Sequence, residues 1–558
     1  MKKRILSLLL CASMLAGMAG CNKAEKAVEE DEQLPRTDTV QEMEVEEQEE
    51  TWMKPEPVSM EDNYRTWYEV FVYSFYDGNG DGIGDLKGLT EKLDYINDGD
   101  PGTFEDLGCN GIWLTPIMPS TTYHKYDVTD YCSIDQEYGT MEDFEAFMAA
   151  CQERGIKVIL DLVINHSSSQ HPWFQEACSY LAELGEGEPD LSVCPYVDYY
   201  HFSKEKQGGY AQVPGSDVWY YEAQFWDGMP DLNLYNEQLR GEIEQIVDFW
   251  LDKGVGGFRL DAAKEYETGA NAANTEILGW FTDMVKSKKE DAYLVAEVWT
   301  DFNTYAGYYD SGIDSVFNFD FADSDGIIAK AVKGNIPAAS YSSRLEEMET
   351  VLAEHNPDYI DAPFYTNHDM GRSAGYYAGE ESESQTKLAG AMNLMMSGSA
   401  FLYYGEELGM KGAGKDENKR APMYFSTDPS AEGMCKGPGD MDEIKMKFGS
   451  YEEQEQDPFS VYAYYKRAIY LRNLYPEIRK GRTENLEAYT SDTIAAFLRS
   501  WEGEKLYVFI NISKEEATLN LSGINTVADA LYVGEEKGSL KDGTLTIPGY
   551  GIMLCRES

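Results

Sequence analysis

One run of nine residues narrows the folds open to this chain. Gly155-Ile156-Lys157-Val158-Ile159-Leu160-Asp161-Leu162-Val163 is apolar almost throughout, without the alternation of a half-solvated strand. A strand written this way is covered on both faces, as in parallel sheets flanked by helices. Glu69-Val70-Phe71-Val72-Tyr73 precedes it, as does Gly111-Ile112-Trp113-Leu114-Thr115-Pro116. Further short runs follow at Ala292 to Glu297, around Ser315 to Phe319, Ala362 to Thr366 and Ala400 to Tyr404. Between them, segments such as Met141 to Arg154 and Asn236 to Lys253 carry apolar residues every three or four positions, the helical period. Strand and helix alternating over several hundred residues point to an α/β fold, a (β/α)8 TIM barrel.

The alternation lapses between His166 and Gly254, a stretch rich in Tyr, Trp, Gly and Pro and too long for an ordinary βα loop. An inserted domain after strand 3 is expected at 167–254, including the helix that leads to strand 4. Residues 59–166 and 255–480 are left for the barrel. From about Glu484 the texture changes to short strand-like runs: Ile494 to Leu498, Leu506 to Asn511, Ala517 to Leu521 and Thr544 to Ile547. These predict an antiparallel β-sandwich over 481–558.

At the other end, Lys2, Lys3 and Arg4 precede the apolar run from Ile5 to Met18, which is short for a membrane span of about 20 residues. Met18-Ala19-Gly20-Cys21 is similar to a bacterial lipobox, with Met where Leu is more usual. The expectation is a lipoprotein signal peptide over 1–20 and lipidation of Cys21. An acidic tether over 21–58 would follow. The protein would then be exported and lipid-anchored at the cell membrane or cell surface. A formal charge of −54 over 558 residues repels phosphate backbones and excludes nucleic acid as a partner. Cys109, Cys132, Cys151, Cys178, Cys194, Cys435 and Cys555 show no zinc-ligand spacing. Cys178 and Cys194 could pair in an exported protein, a point the sequence leaves open.

Chemistry gathers at strand ends. In Gly257-Phe258-Arg259-Leu260-Asp261-Ala262-Ala263-Lys264-Glu265, a strand would send Phe258 and Leu260 to one face and Arg259 and Asp261 to the other. The cation two residues ahead favours an ionised, nucleophilic Asp261. A structural ion pair inside the barrel is the competing reading of this stretch alone. In Asp77-Gly78-Asn79-Gly80-Asp81-Gly82-Ile83-Gly84-Asp85, oxygen side chains alternate with glycine, a pattern suited to a hard cation. The expected ligands are the side chains of Asp77, Asn79, Asp81 and Asp85 and the carbonyl of Ile83, around a structural Ca2+. A glycine-rich turn without metal is the alternative.

Four blocks each stand at the end of an expected barrel strand: Asp161-Leu162-Val163-Ile164-Asn165-His166, Gly257 to Glu265, Ala296-Glu297-Val298-Trp299 and Thr366-Asn367-His368-Asp369. In this order and spacing the chain resembles the α-amylase family, glycoside hydrolase family 13, from about Trp67 to its C-terminus. The resemblance implies a retaining hydrolase in which Asp261 is the nucleophile, Glu297 the acid/base and Asp369 the third carboxylate, which binds and distorts the reacting sugar. It also implies substrate-binding roles for Tyr126, His166, Arg259, Lys264 and His368. Such chemistry uses two carboxyls about 5–5.5 Å apart, a spacing that neighbouring strands four and five can supply. Glu297 has to stay protonated near neutral pH, so a desolvated site with nearby anions is expected around it.

Finer features bear on specificity. Met229-Pro230-Asp231-Leu232-Asn233 resembles the fifth region of the group intermediate between oligo-1,6-glucosidases and neopullulanases. Lys125, where many members have Gly, is similar to the same intermediate group of bacterial α-amylases, and Ala262, where α-1,6-glucosidases tend to have Val, resembles α-1,4-specific members. Glu265 departs from the His of many α-amylases and puts a calcium site near Asn165 in doubt. The aromatic run Trp219-Tyr220-Tyr221 with Phe225 and Trp226 offers either sugar platforms or a core for the inserted domain. The expectation is an α-amylase acting on α-1,4-glucans or maltooligosaccharides. An α-glucosidase, cyclomaltodextrinase, neopullulanase or transglycosylase is the alternative within the family. A non-catalytic glucan-binding lipoprotein is the alternative outside it, disfavoured because all three carboxylates are present.

Overall fold

The computed structural model describes residues 53–557. The expected signal peptide, Cys21 and most of the tether lie outside the described residues. The parallel runs fold as β1 (Thr66–Val70), β2 (Gly111–Leu114) and β3 (Lys157–Leu162). The first lies earlier than the run expected at Glu69 to Tyr73, of which only Glu69 and Val70 are strand while Val72–Ser74 form a 3-10 turn. After the inserted segment, with its small antiparallel sheet of β4 (Phe202–Ser203), β5 (Tyr210–Gln212) and β6 (Tyr220–Glu222), the series resumes. It continues as β7 (Gly257–Leu260), β8 (Tyr293–Ala296), β9 (Ser315–Val316) and β10 (Ala400–Tyr403). Parallel pairing runs β10-β1-β2-β3-β7-β8-β9.

The ring closes through single parallel bridges, Phe317 to Ala362 and Phe364 to Phe401. The strand expected at Ala362 to Thr366 is therefore present only as a bridging segment. Pro363 is its second residue; its carbonyl accepts from the Phe401 N–H at 2.8 Å, but it has no N–H to carry the ladder onward.

Alternate residues of the strands turn inward. Trp67, Trp113, Ile159, Tyr293, Phe317, Phe364 and Phe401 fill the barrel, with the Trp67 ring stacked on Tyr293 at 5.1 Å and Phe401 at 5.7 Å. Two glycines make room for this filling. A Cβ on Gly111 would lie 2.4 Å from the Trp67 ring, and one on Gly257 (φ +146) 1.9 Å from the Tyr293 carbonyl oxygen. Tyr68, Ile112, Val158, Leu160, Phe258 and Leu260 face the other way, into the layer shared with the helices. The inward set turns polar toward the C-terminal ends of the strands, at Glu69, Asp161 and Arg259, all at 1 % exposure. That change from aromatic filling to charge marks the floor of the candidate site.

The expected helices form as α1 (Met141–Glu153), started by a capping box of Thr140 and Asp143, and α2 (Glu237–Asp252), capped by Asn236. Leu239, Ile243, Ile246, Val247 and Trp250 line the buried stripe of α2 at helical spacing.

The C-terminal residues form a five-stranded antiparallel sheet, ordered β11-β12-β13-β18-β15, and a three-stranded one, β14-β17-β16. Their strands are β11 (Arg482–Asn485), β12 (Ile494–Trp501), β13 (Glu504–Asn511), β14 (Ala517–Asn520), β15 (Ile524–Leu531), β16 (Ser539–Lys541), β17 (Thr544–Ile547) and β18 (Ile552–Glu557). Leu498, Phe509, Leu545, Ile547 and Met553 pack between the sheets. The opposite face of the larger sheet, with Phe497, Val508, Ile510 and Leu554, joins the helix layer of the barrel. Arg499, fully buried, crosses that seam to Glu349 Oε1 at 2.7 Å and the Met395 carbonyl at 3.0 Å. All seven cysteines from Cys109 to Cys555 are free thiols, so the pairing of Cys178 with Cys194 is not formed.

Candidate active site

The site is organised by one guanidinium. Arg259, on β7, is 1 % exposed and points into the barrel mouth as its alternation with Phe258 and Leu260 requires. Its Nη1 donates to Asp161 Oδ1 at 2.9 Å, Asp161 Oδ2 at 3.0 Å and Asp261 Oδ1 at 2.5 Å. Its Nη2 stands 3.0 Å from Glu297 Oε2. A charge this deeply buried is tolerated because carboxylates from three strands surround it. The resulting fork places Asp261 and Glu297 on the two arms of one planar group.

Local backbone geometry sets the two acids. Directly after Asp261 the chain turns at Ala262, whose φ of 41° is left-handed. The turn aims the Ala262 N–H at Glu297 Oε2 (3.0 Å), while the Ala263 N–H donates to the Glu297 carbonyl at 2.9 Å. Glu297 is 8 % exposed. Burial pushes its carboxyl up; Arg259 pulls against this, and the anions Asp261 and Asp369 add to the rise. A raised carboxyl beside another carboxylate is the asymmetry an acid and nucleophile pair needs.

The third acid sits in a chain of charges that begins at β1. Glu69 Oε1 is 2.6 Å from His368 Nδ1, and His368 Nε2 is 2.7 Å from the Tyr126 hydroxyl and 3.1 Å from Asp369 Oδ2. Burial works against a charged imidazole here, yet Asp369 and Glu69 raise His368 to about 10. In return His368, then Arg420, hold the Asp369 carboxyl well below its ordinary range despite burial. Arg420 Nη2 donates to Asp369 Oδ1 at 2.8 Å, and Nη1 to the Tyr123 hydroxyl at 3.0 Å.

Tyr126 stacks on His368 with ring centres 5.4 Å apart, and its hydroxyl donates to Asp161 Oδ2 at 2.9 Å. His166 is held neutral by burial. Its Nδ1 meets the Asn165 side-chain nitrogen at 2.7 Å and its Nε2 the Tyr126 carbonyl at 3.2 Å, an arrangement satisfied when the proton is on Nε2. The structure thus brings Asp261, Glu297, Asp369, Arg259, Tyr126, His166 and His368 into one connected cluster. Lys264 stands apart from the carboxylates, about a third exposed, with Nζ 2.6 Å from Glu265 Oε1.

The loop expected to take Ca2+ follows β1. Asp77 Oδ1 accepts from the Gly80 N–H at 2.6 Å and Oδ2 from the Gly82 N–H at 2.6 Å, with Gly80 and Gly82 at positive φ. Asn79 and Asp81 likewise accept from Asp81 and Ile83 N–H groups, at 2.9 and 2.8 Å. Asp85 caps the following helix through the Gly88 N–H at 2.8 Å. The donors are all oxygen, as a hard cation requires. Among the described residues, however, no three acidic, histidine or cysteine side chains converge on one point, either here or near Asn165.

Four residues of the cluster escaped assignment from sequence: Glu69, Asp161, Tyr123 and Arg420. Asp161 carried a signal, as a carboxylate inside an otherwise apolar strand run, and Glu69 a weaker one at the head of another. Arg420 and Tyr123 carried none; they belong to loops far apart in the chain and meet only across the barrel mouth.

A closed parallel barrel whose mouth presents three carboxylates from separate strands around a buried arginine defines a glycoside hydrolase working through paired acids. The chain belongs to the α-amylase family, glycoside hydrolase family 13. The family description "Alpha amylase, catalytic domain" matches residues 69–481, and "Alpha-amylase SusG C-terminal domain" matches 494–551. The chain is 38 % identical over 494 residues to Alpha-amylase 3 of Dictyoglomus thermophilum, covering 84 % of this chain and 89 % of that protein. It is 31 % identical to a 4-alpha-glucanotransferase of Thermotoga neapolitana, covering 66 % and 77 %. Among solved structures, Eubacterium rectale Amy13B is 50 % identical with a TM-score of 0.87, over 90 % of this chain and 97 % of that one. The protein is therefore a retaining glycoside hydrolase of this family.

Proposed function

We propose that the enzyme is an α-amylase cleaving α-1,4-glucosidic bonds of starch or maltooligosaccharides through a covalent glycosyl-enzyme intermediate. Asp261 attacks the anomeric carbon while Glu297 protonates the departing glycosidic oxygen; Glu297 then deprotonates the water that releases the sugar. Asp369 and His368 bind hydroxyls of the reacting glucose, Tyr126 stacks beneath it, and His166 holds its rim. Arg259 keeps Asp261 anionic and oriented, and Lys264 touches the acceptor sugar. The observation that carries the reading is the shared guanidinium. Two carboxylates sit on its two arms, Asp261 Oδ1 at 2.5 Å and Glu297 Oε2 at 3.0 Å, the pairing of acids that retaining enzymes use.

Support for amylase action over the alternatives comes from Ala262 after the candidate nucleophile and from the similarity to a named α-amylase over most of the chain. Transfer to an acceptor sugar is the second reading, favoured by the similarity to a 4-alpha-glucanotransferase. Incubation with soluble starch, maltotriose and a cyclodextrin, following product sizes and the released anomer, tests both. Hydrolysis to α-anomeric maltooligosaccharides supports the first reading. Products longer than the starting maltotriose support the second.

Two further parts of the proposal rest on sequence and donor chemistry. The 77–85 loop takes Ca2+ in a structural role, through Asp77, Asn79, Asp81, Ile83 and Asp85. Cys21 carries lipid, anchoring the exported enzyme at the cell membrane or cell surface; replacing Cys21 with Ala should release the enzyme from the membrane fraction.

A further inference from the structure

Two carboxyls that the proposed chemistry does not use stand side by side in the layer between the barrel and its helices. β10 ends at Tyr403, and the turn that follows carries Glu406 and Glu407, both buried. Their partners are hydroxyl groups from separate parts of the chain. Glu406 Oε2 lies 2.6 Å from the Thr366 hydroxyl, and Oε1 accepts from Tyr465 on α3 (Val461–Leu474) at 3.2 Å. Glu407 Oε1 accepts from Tyr68 and from Tyr95, each at 2.6 Å, while its Oε2 is buried without a partner.

The fold makes room for this pair and gives it no counter-charge. A Cβ on Gly390 would lie 1.9 Å from the Tyr465 hydroxyl, so only glycine fits there. Among the described residues no lysine or arginine nitrogen bonds to either carboxyl. Arg372 acts on both, but its Nε donates to the Lys419 carbonyl at 3.0 Å and its Nη1 to the Tyr404 carbonyl at 2.5 Å. Around Glu406 stand Thr366, Tyr376, Tyr377 and Tyr465; around Glu407 stand Tyr68, Tyr95, Tyr462 and Cys109. Burial pushes these phenols and the thiol up, so all are neutral.

Adjacent buried carboxyls without a cation resist joint ionisation. Burial pushes Glu406 up to about 8, with Glu407 adding to the rise and Thr366, Tyr465 and Arg372 opposing it. Glu407 is raised by burial as well. The pair therefore holds a proton near neutral pH.

Thr366 connects this pair to the catalytic cluster. The segment from Ala362 makes its last sheet contact at the Phe364 to Phe401 bridge, and beyond it the chain runs on to His368 and Asp369. Thr366, at 1 % exposure, ties that continuation back to the turn after β10. Asp369 follows three residues later, its N–H donating to Asn367 Oδ1 at 3.0 Å.

We infer that Glu406 is a positioning residue for the reaction: as a neutral carboxyl it holds Thr366, and through Thr366 the turn that presents His368 and Asp369 to the sugar. Ionisation beside Glu407 puts two like charges in one dry site, and the turn shifts to relieve them. The inference rests on the role proposed for Asp369 and deepens it.

The test follows kcat/KM on 4-nitrophenyl α-maltotrioside across pH, with melting temperature alongside. Glu406→Gln keeps the shape and cannot ionise. Near neutral pH it should stay within about twofold of wild type. One pH unit above the Glu406 value, roughly a tenth of wild-type molecules keep the proton, so the variant should there exceed wild type by about tenfold. Thr366→Val removes the hydroxyl and should lose about tenfold at neutral pH, a loss that Thr366→Ser recovers. A merely structural role would instead lower activity and melting temperature together at every pH. Coincident alkaline limbs in wild type and Glu406→Gln overturn the inference. So does a Thr366→Val enzyme with unchanged kcat/KM, an outcome that needs no Glu406 variant to fold. A wild type inert on the maltotrioside would remove the amylase reading, and this inference with it.

Discussion

Arg259 Nη2 lies 3.0 Å from Glu297 Oε2, so the residue proposed as proton donor rests against a permanent cation. That contact favours the ionised form, yet burial together with Asp261 and Asp369 raises the Glu297 carboxyl overall. Replacing Glu297 with Gln keeps the shape and removes the proton. Turnover on maltooligosaccharides should fall by about 10²–10⁴ while binding persists; unchanged hydrolysis would remove the assignment.

The same balance predicts a pH effect. Glu297 serves as acid only while protonated, so kcat/KM should decline on the alkaline side as pH passes its raised value. Asp369 contributes to that rise. In Asp369→Asn, read with an activated aryl maltoside, the alkaline limb should move to lower pH. A limb that stays in place or moves up contradicts the coupling.

Arg420 makes a two-armed contact, to Asp369 at 2.8 Å and Tyr123 at 3.0 Å. Arg420→Gln removes a charge that holds Asp369 ionised, and should lower kcat/KM by about 10–10². Arg420→Lys keeps the charge but not the planar fork, so it should recover only part of the loss. Full recovery by Lys would show that charge alone matters.

His368 is raised to about 10 by Asp369 and Glu69 against the effect of burial. An unfolded histidine titrates near about 6.5. The native state therefore holds this proton more tightly, and the stabilisation is complete below about pH 6.5 and lost as pH rises through about 10. Melting temperatures measured across this range should decline toward pH 10, and less steeply in His368→Asn. Equal slopes would place the alkaline sensitivity elsewhere.

For the 77–85 loop, excess Ca2+ should raise the melting temperature, by about 2.7 kcal/mol of stability at a hundredfold excess over Kd. Asp77→Asn should abolish the response. Equal melting in Ca2+ and in chelator would identify the loop as a glycine turn held by its own aspartates.

Much of this arrangement was legible in the sequence because strand period and chemistry coincide. Arg259 and Asp261 share a face because they are two apart, and the apolar run ending at Asp161 could only be an enclosed strand. The Ala362 to Thr366 run misled because Pro363 interrupts its ladder. β11, β15, β16 and β18 were passed over. In β15, two register shifts against β18 break the alternation that marks a strand. Tyr123 and Arg420 illustrate the deeper limit: each is an ordinary loop residue until the closed ring places them 3.0 Å apart.

The buried contact between Arg499 and Glu349 gives the two-sheet C-terminal region a meaning beyond decoration. Cutting the chain before β11 would leave Glu349 without its counter-charge, a loss on the order of 3–5 kcal/mol. It would also bare the apolar helices that Phe497, Val508 and Leu554 now shield. The barrel would then be an orphan seeking other greasy surfaces, so the 77 residues from Arg482 onward act as a mandatory lid on its flank.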